Sequence, residues 1–142
     1  MIEGHFIDQV PRIRARRWIV RRNYRAPDIF VIDPASPTTV VSSGDLGGFG
    51  GSPLDDLSRI DGVFGVNSGL RTTALLTFDT AEGGVQMEAL DVVVVADVAG
   101  ASRLGRDVLN RWLMVYDPRG GILSFDPYVD DDEENDGDDD AR

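Results

Sequence analysis

One carboxylate stands where chemistry could be done. Asp33 lies between the apolar run Phe30-Val31-Ile32 and the β-branched run Thr38-Thr39-Val40. The first run reads as a buried strand ending at the acid, the second as a strand leaving Pro37. Pro34, Ala35, Ser36 and Pro37 enforce a tight turn between them. A strand that delivers an acid to such a turn can aim the carboxylate into a cleft, where it would work as a general acid or base. The same pattern also serves as a plain strand end capped by an Asp-Pro turn. Few other side chains compete for a catalytic role. The chain has no cysteine, which excludes disulfides, thiolate zinc sites and a cysteine nucleophile. Its single histidine, His5, lies near the N-terminus and reads as solvated, so Ser-His-Asp catalysis and histidine metal sites are not expected. Gly47-Gly48-Phe49-Gly50-Gly51-Ser52-Pro53 is glycine-rich. It does not complete G-x-G-x-x-G, because Pro53 takes the last position counted from Gly48, and no P-loop lysine follows. No cofactor and no metal are expected.

The elements that would position Asp33 are strands. A chain of 142 residues fits one domain with a proper core. Pro11 to Arg16 alternates charged and apolar residues, a half-exposed strand with arginines outward, and Trp18-Ile19-Val20 continues it. Arg21 to Asp28 reads as a polar turn. Leu57 to Phe64 and Arg71 to Phe78 read as two strands joined by a hairpin tip at Gly65-Val66-Asn67-Ser68-Gly69. After a turn at Asp79 to Gly84 come a short strand, Val85 to Ala89, and the most apolar run, Leu90 to Ala96, a strand buried on both faces. Asp97 to Arg103 reads as a loop. Arg106 to Trp112 is the best short helix, followed by strands at Leu113–Tyr116 and Ile122–Phe125. The fold class expected is mainly β, a closed barrel or sandwich with one short C-terminal helix.

Charge divides the chain. All 14 basic residues are arginine, and seven lie between Arg12 and Arg25. Between Asp130 and Asp140 there are nine acids, so most of the net charge of -11 belongs to a tail. The expected division is a lead-in at 1–9, one domain at 10–128 and a disordered acidic tail at 129–142. A calcium loop with Asp132, Glu134 and Asp136 around Gly137 lacks the closing Glu. The arginine stripe offers a nucleic-acid surface, although a basic edge strand also blocks edge pairing. No apolar run reaches membrane-spanning length and no signal-peptide pattern is present, so the expectation is a soluble cytoplasmic protein without membrane partners.

The run Leu104-Gly105-Arg106-Asp107-Val108-Leu109-Asn110-Arg111-Trp112, with Asp117-Pro118 one strand later, resembles the C-terminal signature of the bacterial branch of the retropepsin-like aspartic proteases. Phe30-Val31-Ile32-Asp33 with Thr39-Val40 resembles that family's catalytic strand and loop, and Gly62 to Gly69 is similar to its glycine-rich flap. The resemblance covers about residues 10–127. It implies a homodimer in which two Asp33 carboxylates share a proton and activate water to hydrolyse a peptide bond. It also implies that Pro34, Ala35 and Ser36 form the catalytic loop, that Gly65 to Gly69 close over substrate, and that Leu104, Gly105, Arg106 and Asp107 support the loop. The family motif is Asp, then Thr or Ser, then Gly; this chain has Asp33-Pro34-Ala35. Pro34 has neither hydroxyl nor N–H, and Ala35 adds a Cβ beneath the carboxylate. Three functions follow as expectations: an aspartic endopeptidase, a catalytically impaired relative that binds extended peptides, and an arginine-rich scaffold or nucleic-acid-binding protein.

Overall fold

The structure, a computed structural model of the chain, describes residues 1–20, 23–43, 56–62, 65–96 and 101–128. Eleven strands and one helix follow in order among the described residues: β1 (Ile2–Glu3), β2 (His5–Ile7), β3 (Val10–Ile19), β4 (Tyr24–Ile32), β5 (Val40–Ser43), β6 (Asp56–Gly62), β7 (Gly65–Asp79), β8 (Val85–Ala96), β9 (Arg103–Leu104), α1 (Arg106–Leu109), β10 (Trp112–Asp117) and β11 (Ile122–Pro127). The protein is mainly β, as expected. An eight-stranded sheet runs β2-β3-β4-β9-β5-β8-β7-β6, and an additional β3–β7 pairing, Arg16 opposite Thr77 through Ile19 opposite Ala74, closes six of its strands into a ring. A second sheet, β1-β11-β10, packs against this ring.

Alternation in the sequence explains β3. Ile13, Ala15 and Ile19 are buried in the core, while Arg14 and Arg16 face outward. The β2–β3 turn places Asp8 at φ 55° and Gln9 at φ 68°, the left-handed pair that a two-residue hairpin with matching twist requires. β8 lies between β5 and β7, and Val92 to Val95 are all buried, which is why its sequence is a continuous apolar run. Phe30, Phe78 and Phe125 fill the centre. Trp112 meets Phe78 edge-on at 4.9 Å and Phe125 at 5.5 Å, joining the small sheet to the ring.

Several expectations are corrected. Tyr24 to Asp28 belong to β4 and are not a turn, because each pairs with a residue of β3. Val85 to Ala96 is one strand, continuous in its pairing with β7. The helix ends at Leu109, and Trp112 begins β10, where its ring is needed in the core. Residues 2–7, read as a lead-in, supply β1 and β2, and Ile2 is 1% exposed. The glycine-rich segment at 47–53, the start of the Asp97–Arg103 loop and the acidic tail lie outside the described residues.

Glu88 marks the junction of β8 with the helical end. Its buried carboxylate accepts from Arg111 Nη1 at 2.6 Å, Trp112 Nε1 at 3.1 Å and Gln86 Nε2 at 2.9 Å. Glu88→Ala leaves those donors without their acceptor, so a loss of about 2–4 kcal/mol is expected. A lower denaturant midpoint at unchanged slope checks it.

Candidate aspartate site

The site is built around β9, which inserts two residues between β4 and β5. Val31 and Ile32 pair in parallel with Arg103 and Leu104, and Val40 pairs with Arg103 from the other side. Asp33 follows β4 directly and its N–H donates to Leu104 O at 3.0 Å. The loop then turns on itself: Ser36 N–H donates to Asp33 O at 3.1 Å, and Ala35 N–H donates to Asp33 Oδ1, also at 3.1 Å. Such an Asx turn needs no N–H from Pro34. Pro34 and Ala35 are exposed, and the Ser36 hydroxyl is committed to Thr38 O at 2.6 Å. Ser36 therefore does not supply the hydroxyl missing from position 34.

The loop-supporting residues named from sequence gather here. Asp107 accepts from Thr39 N at 3.0 Å and from Thr39 Oγ1 at 2.6 Å. Thr39 Oγ1 in turn accepts from Gly105 N at 3.1 Å, and Arg106 N–H donates to Ser36 O at 2.8 Å. Gly105 has a steric reason to be glycine: a Cβ there would lie 2.7 Å from Thr38 C and O and 2.8 Å from Ser36 O.

Sequence reading missed the cation. Arg103, placed at the end of a loop, is a buried β9 residue whose Nε stands 3.7 Å from Asp33 Oδ2. The two side chains are 8% and 14% exposed, so water screens the pair little. Burial draws the Arg103 guanidinium below its ordinary value while the Asp33 carboxylate opposes that shift; arginine stays charged regardless. A second polar layer, also missed, holds β9 from behind. Asp28 accepts from Ser102 Oγ at 2.6 Å and Arg17 Nη1 at 2.8 Å, while Ser102 Oγ accepts from Ser42 N at 2.9 Å. The available signal was Arg17, a cation at an inward position of an alternating strand.

Gly65 to Gly69 do not form a hairpin tip. They are the first residues of β7, paired with Ser58 to Gly62 of β6. Gly69 lies so close to β8 that a Cβ would be 2.5 Å from Val93 Cγ1 and 2.7 Å from Val94 O. Its glycine serves this close approach. Much of the described arginine stripe is already engaged: Arg16 bonds Asp79 at 2.9 Å, Arg17 bonds Asp28, and Arg25 stacks 4.4 Å from the Trp18 ring centre. No group of His, Cys, Asp and Glu side chains among the described residues has the arrangement of a metal site, and no described helix is long and apolar enough to cross a membrane.

No family model matches the sequence, and no curated protein matches it.

Proposed function

We propose that this chain is a retropepsin-like protein that captures an extended peptide without hydrolysing it. One observation carries the reading: the guanidinium of Arg103 sits 3.7 Å from Asp33, the carboxylate that the resemblance assigns to catalysis. Aspartic hydrolysis needs one carboxyl of a pair to hold a proton and polarise the scissile carbonyl. Here the carboxylate has a structural partner instead, the buried guanidinium whose charge it offsets. Pro34 and the committed Ser36 hydroxyl act in the same direction. Strand addition is the binding mode that suits the sheet: among the described strands β6 pairs only with β7, and an extended chain adds to such an edge.

A second reading, an aspartic endopeptidase acting as a homodimer with Asp33 catalytic, is favoured by the completeness of the Thr39–Asp107–Gly105 lattice beneath the loop. Incubation with a mixed peptide library between about pH 4 and pH 7, with binding and cleavage read together, separates the two. Retained peptides with intact backbones are expected. Cleavage that disappears in a folded Asp33→Asn variant would establish the endopeptidase, and a library neither bound nor cut would remove both readings.

A further inference from the structure

We infer that the chain's own acidic segment, Asp130 to Asp140, docks in an arginine-lined groove on the outer face of β3 and neutralises it. The groove begins where the sheet forks. β2 pairs with β3 as far as Arg12, and β7 pairs with it from Arg16 onward. Along Ile13 to Ala15, that side of β3 has no strand partner among the described residues. The fork opens a cleft of about 770 Å³ whose lining includes His5, Arg14, Arg16, Ile29, Thr80 and Ala81. A second cleft of about 380 Å³ continues it past Trp18 and Arg25, and Arg16, Pro27 and Thr77 line both.

The groove calls for negative charge. Arg14 and Arg16 stand two residues apart on the outward face of β3, about 7 Å along the strand, and Arg25 lies opposite Trp18 a further two residues on. Arg14 is exposed, and its guanidinium makes no ion pair or hydrogen bond among the described residues. Arg16 meets Asp79 through one nitrogen at 2.9 Å, with the two side chains 56% and 73% exposed. So open a pair contributes little, and the guanidinium keeps other N–H donors for a second carboxylate. Arg25 is exposed and held over the Trp18 ring, a contact that does not neutralise its charge. Three acids line the first cleft, of which Asp28 is bonded to Arg17 and Asp79 to Arg16, leaving Glu3. The described lining of the second cleft holds arginines and no acid.

Charge and the path of the chain identify the occupant. Nine of the eleven residues from Asp130 to Asp140 are acidic. β11 leads toward them, and its end is fixed beside the groove. The Met1 ammonium stands 3.4 Å from Asp126 Oδ1 and 2.7 Å from Glu82 Oε1, and Ala81 N–H donates to Met1 O at 2.8 Å. Ile2 and Ala81 both line the first cleft. Asp130 follows Asp126 by four residues, about 14 Å at full extension, so the acids begin within a short reach of that rim. An extended chain presents alternate side chains about 7 Å apart, the spacing of Arg14 and Arg16. Tethering makes the contact intramolecular, with an effective concentration of millimolar order that a free polyanion has to match. The nucleic-acid surface expected from the arginine stripe is then already filled by the chain's own acids. The inference concerns β3 and β7 and does not depend on the peptide reading, which rests on Asp33 and the edge of β6.

Disulfide trapping in the full chain tests it, since there is no native cysteine to interfere. Asn135→Cys puts one thiol in the acidic segment without removing an acid. Thr77→Cys puts the second in the groove, where Thr77 lines both clefts. Arg119→Cys, at an exposed position between β10 and β11, is the control partner. Under a mild oxidant, Asn135→Cys is expected to bridge within single chains at least about tenfold faster with Thr77→Cys than with Arg119→Cys. That advantage is expected to disappear in about 1 M NaCl, where the screening length falls to about 3 Å. It is expected to disappear equally when Arg14→Gln and Arg16→Gln are added. Non-reducing gels separate bridges within a chain from bridges between chains. Equal rates for the two partners, a preference indifferent to salt and to the arginines, or bridges formed only between copies would each overturn the inference. Should the arginine variant fail to fold, the salt dependence decides, because it alters no residue of the groove.

Discussion

Replacing Asp33 by asparagine is expected to destabilise the protein by about 1–3 kcal/mol, because a buried guanidinium 3.7 Å away then loses one of the groups that offset its charge. The direction separates two roles. A carboxylate held for catalysis is commonly a point of strain, and its neutralisation is often harmless or stabilising. A carboxylate that compensates a buried cation behaves in the opposite way. The comparison is sharpened by Arg103→Met, which removes the charge and keeps much of the side-chain volume. Arg103 and Asp33 touch through one contact at 3.7 Å, so the double variant is expected to be less damaged than the sum of the two single ones, with a coupling of about 1–3 kcal/mol. Denaturant unfolding of the four proteins closes the cycle. Coupling indistinguishable from zero would show that the ion pair contributes nothing, and the argument against hydrolysis would then rest on Pro34 and the committed Ser36 hydroxyl.

Gly105→Ala is the second large effect. The added methyl meets backbone on both sides, Thr38 C and O at 2.7 Å and Ser36 O at 2.8 Å. No flexible side-chain tip is available to move aside. Ser36 O cannot retreat without losing its hydrogen bond from Arg106 N, and Thr38 is held by the Ser36 hydroxyl. A loss of about 3 kcal/mol or more is expected, at the upper end of overpacking. Gly84→Ala is the matched control, because its nearest neighbour would be Thr80 Oγ1 at 3.6 Å; a change within about 0.5 kcal/mol is expected there. Paired thermal unfolding curves measure both. Equal melting temperatures would mean that the loop yields more easily than its hydrogen bonds imply.

The aspartate loop was legible in sequence because its parts are local. An apolar run, an acid, two prolines and a β-branched run form a strand, a turn and a strand wherever they occur. The apolar-Gly step before Arg106 was equally readable, and it lies beside the loop. Arg103 was not readable, since its meaning comes from Asp33, reached across β9 by pairing that no window on the sequence contains. The glycines at 65 and 69 misled for a related reason. Glycine at a bend and glycine pressed close against a neighbouring strand look alike until the neighbour is known, and for Gly69 it is Val93 and Val94 that decide. Trp112 satisfied a helical spacing, yet its burial against Phe78 and Phe125 decided in favour of a strand. Tertiary packing overrode local preference there.

The two residues of β9 also govern how the domain can come together. Their position is defined by bonds of the residues that flank them, from Thr39 to Asp107 across 68 residues and from Ser102 to Asp28 across 74. Chain-closure entropy has to be met before contacts so distant in sequence return anything. A hairpin such as β10–β11 holds its contacts within one segment, whereas no contiguous fragment of modest length holds those of the aspartate loop. The site is thus a property of the whole topology: a cut anywhere between β4 and α1 divides it between two pieces, neither of which contains a weakened version of it.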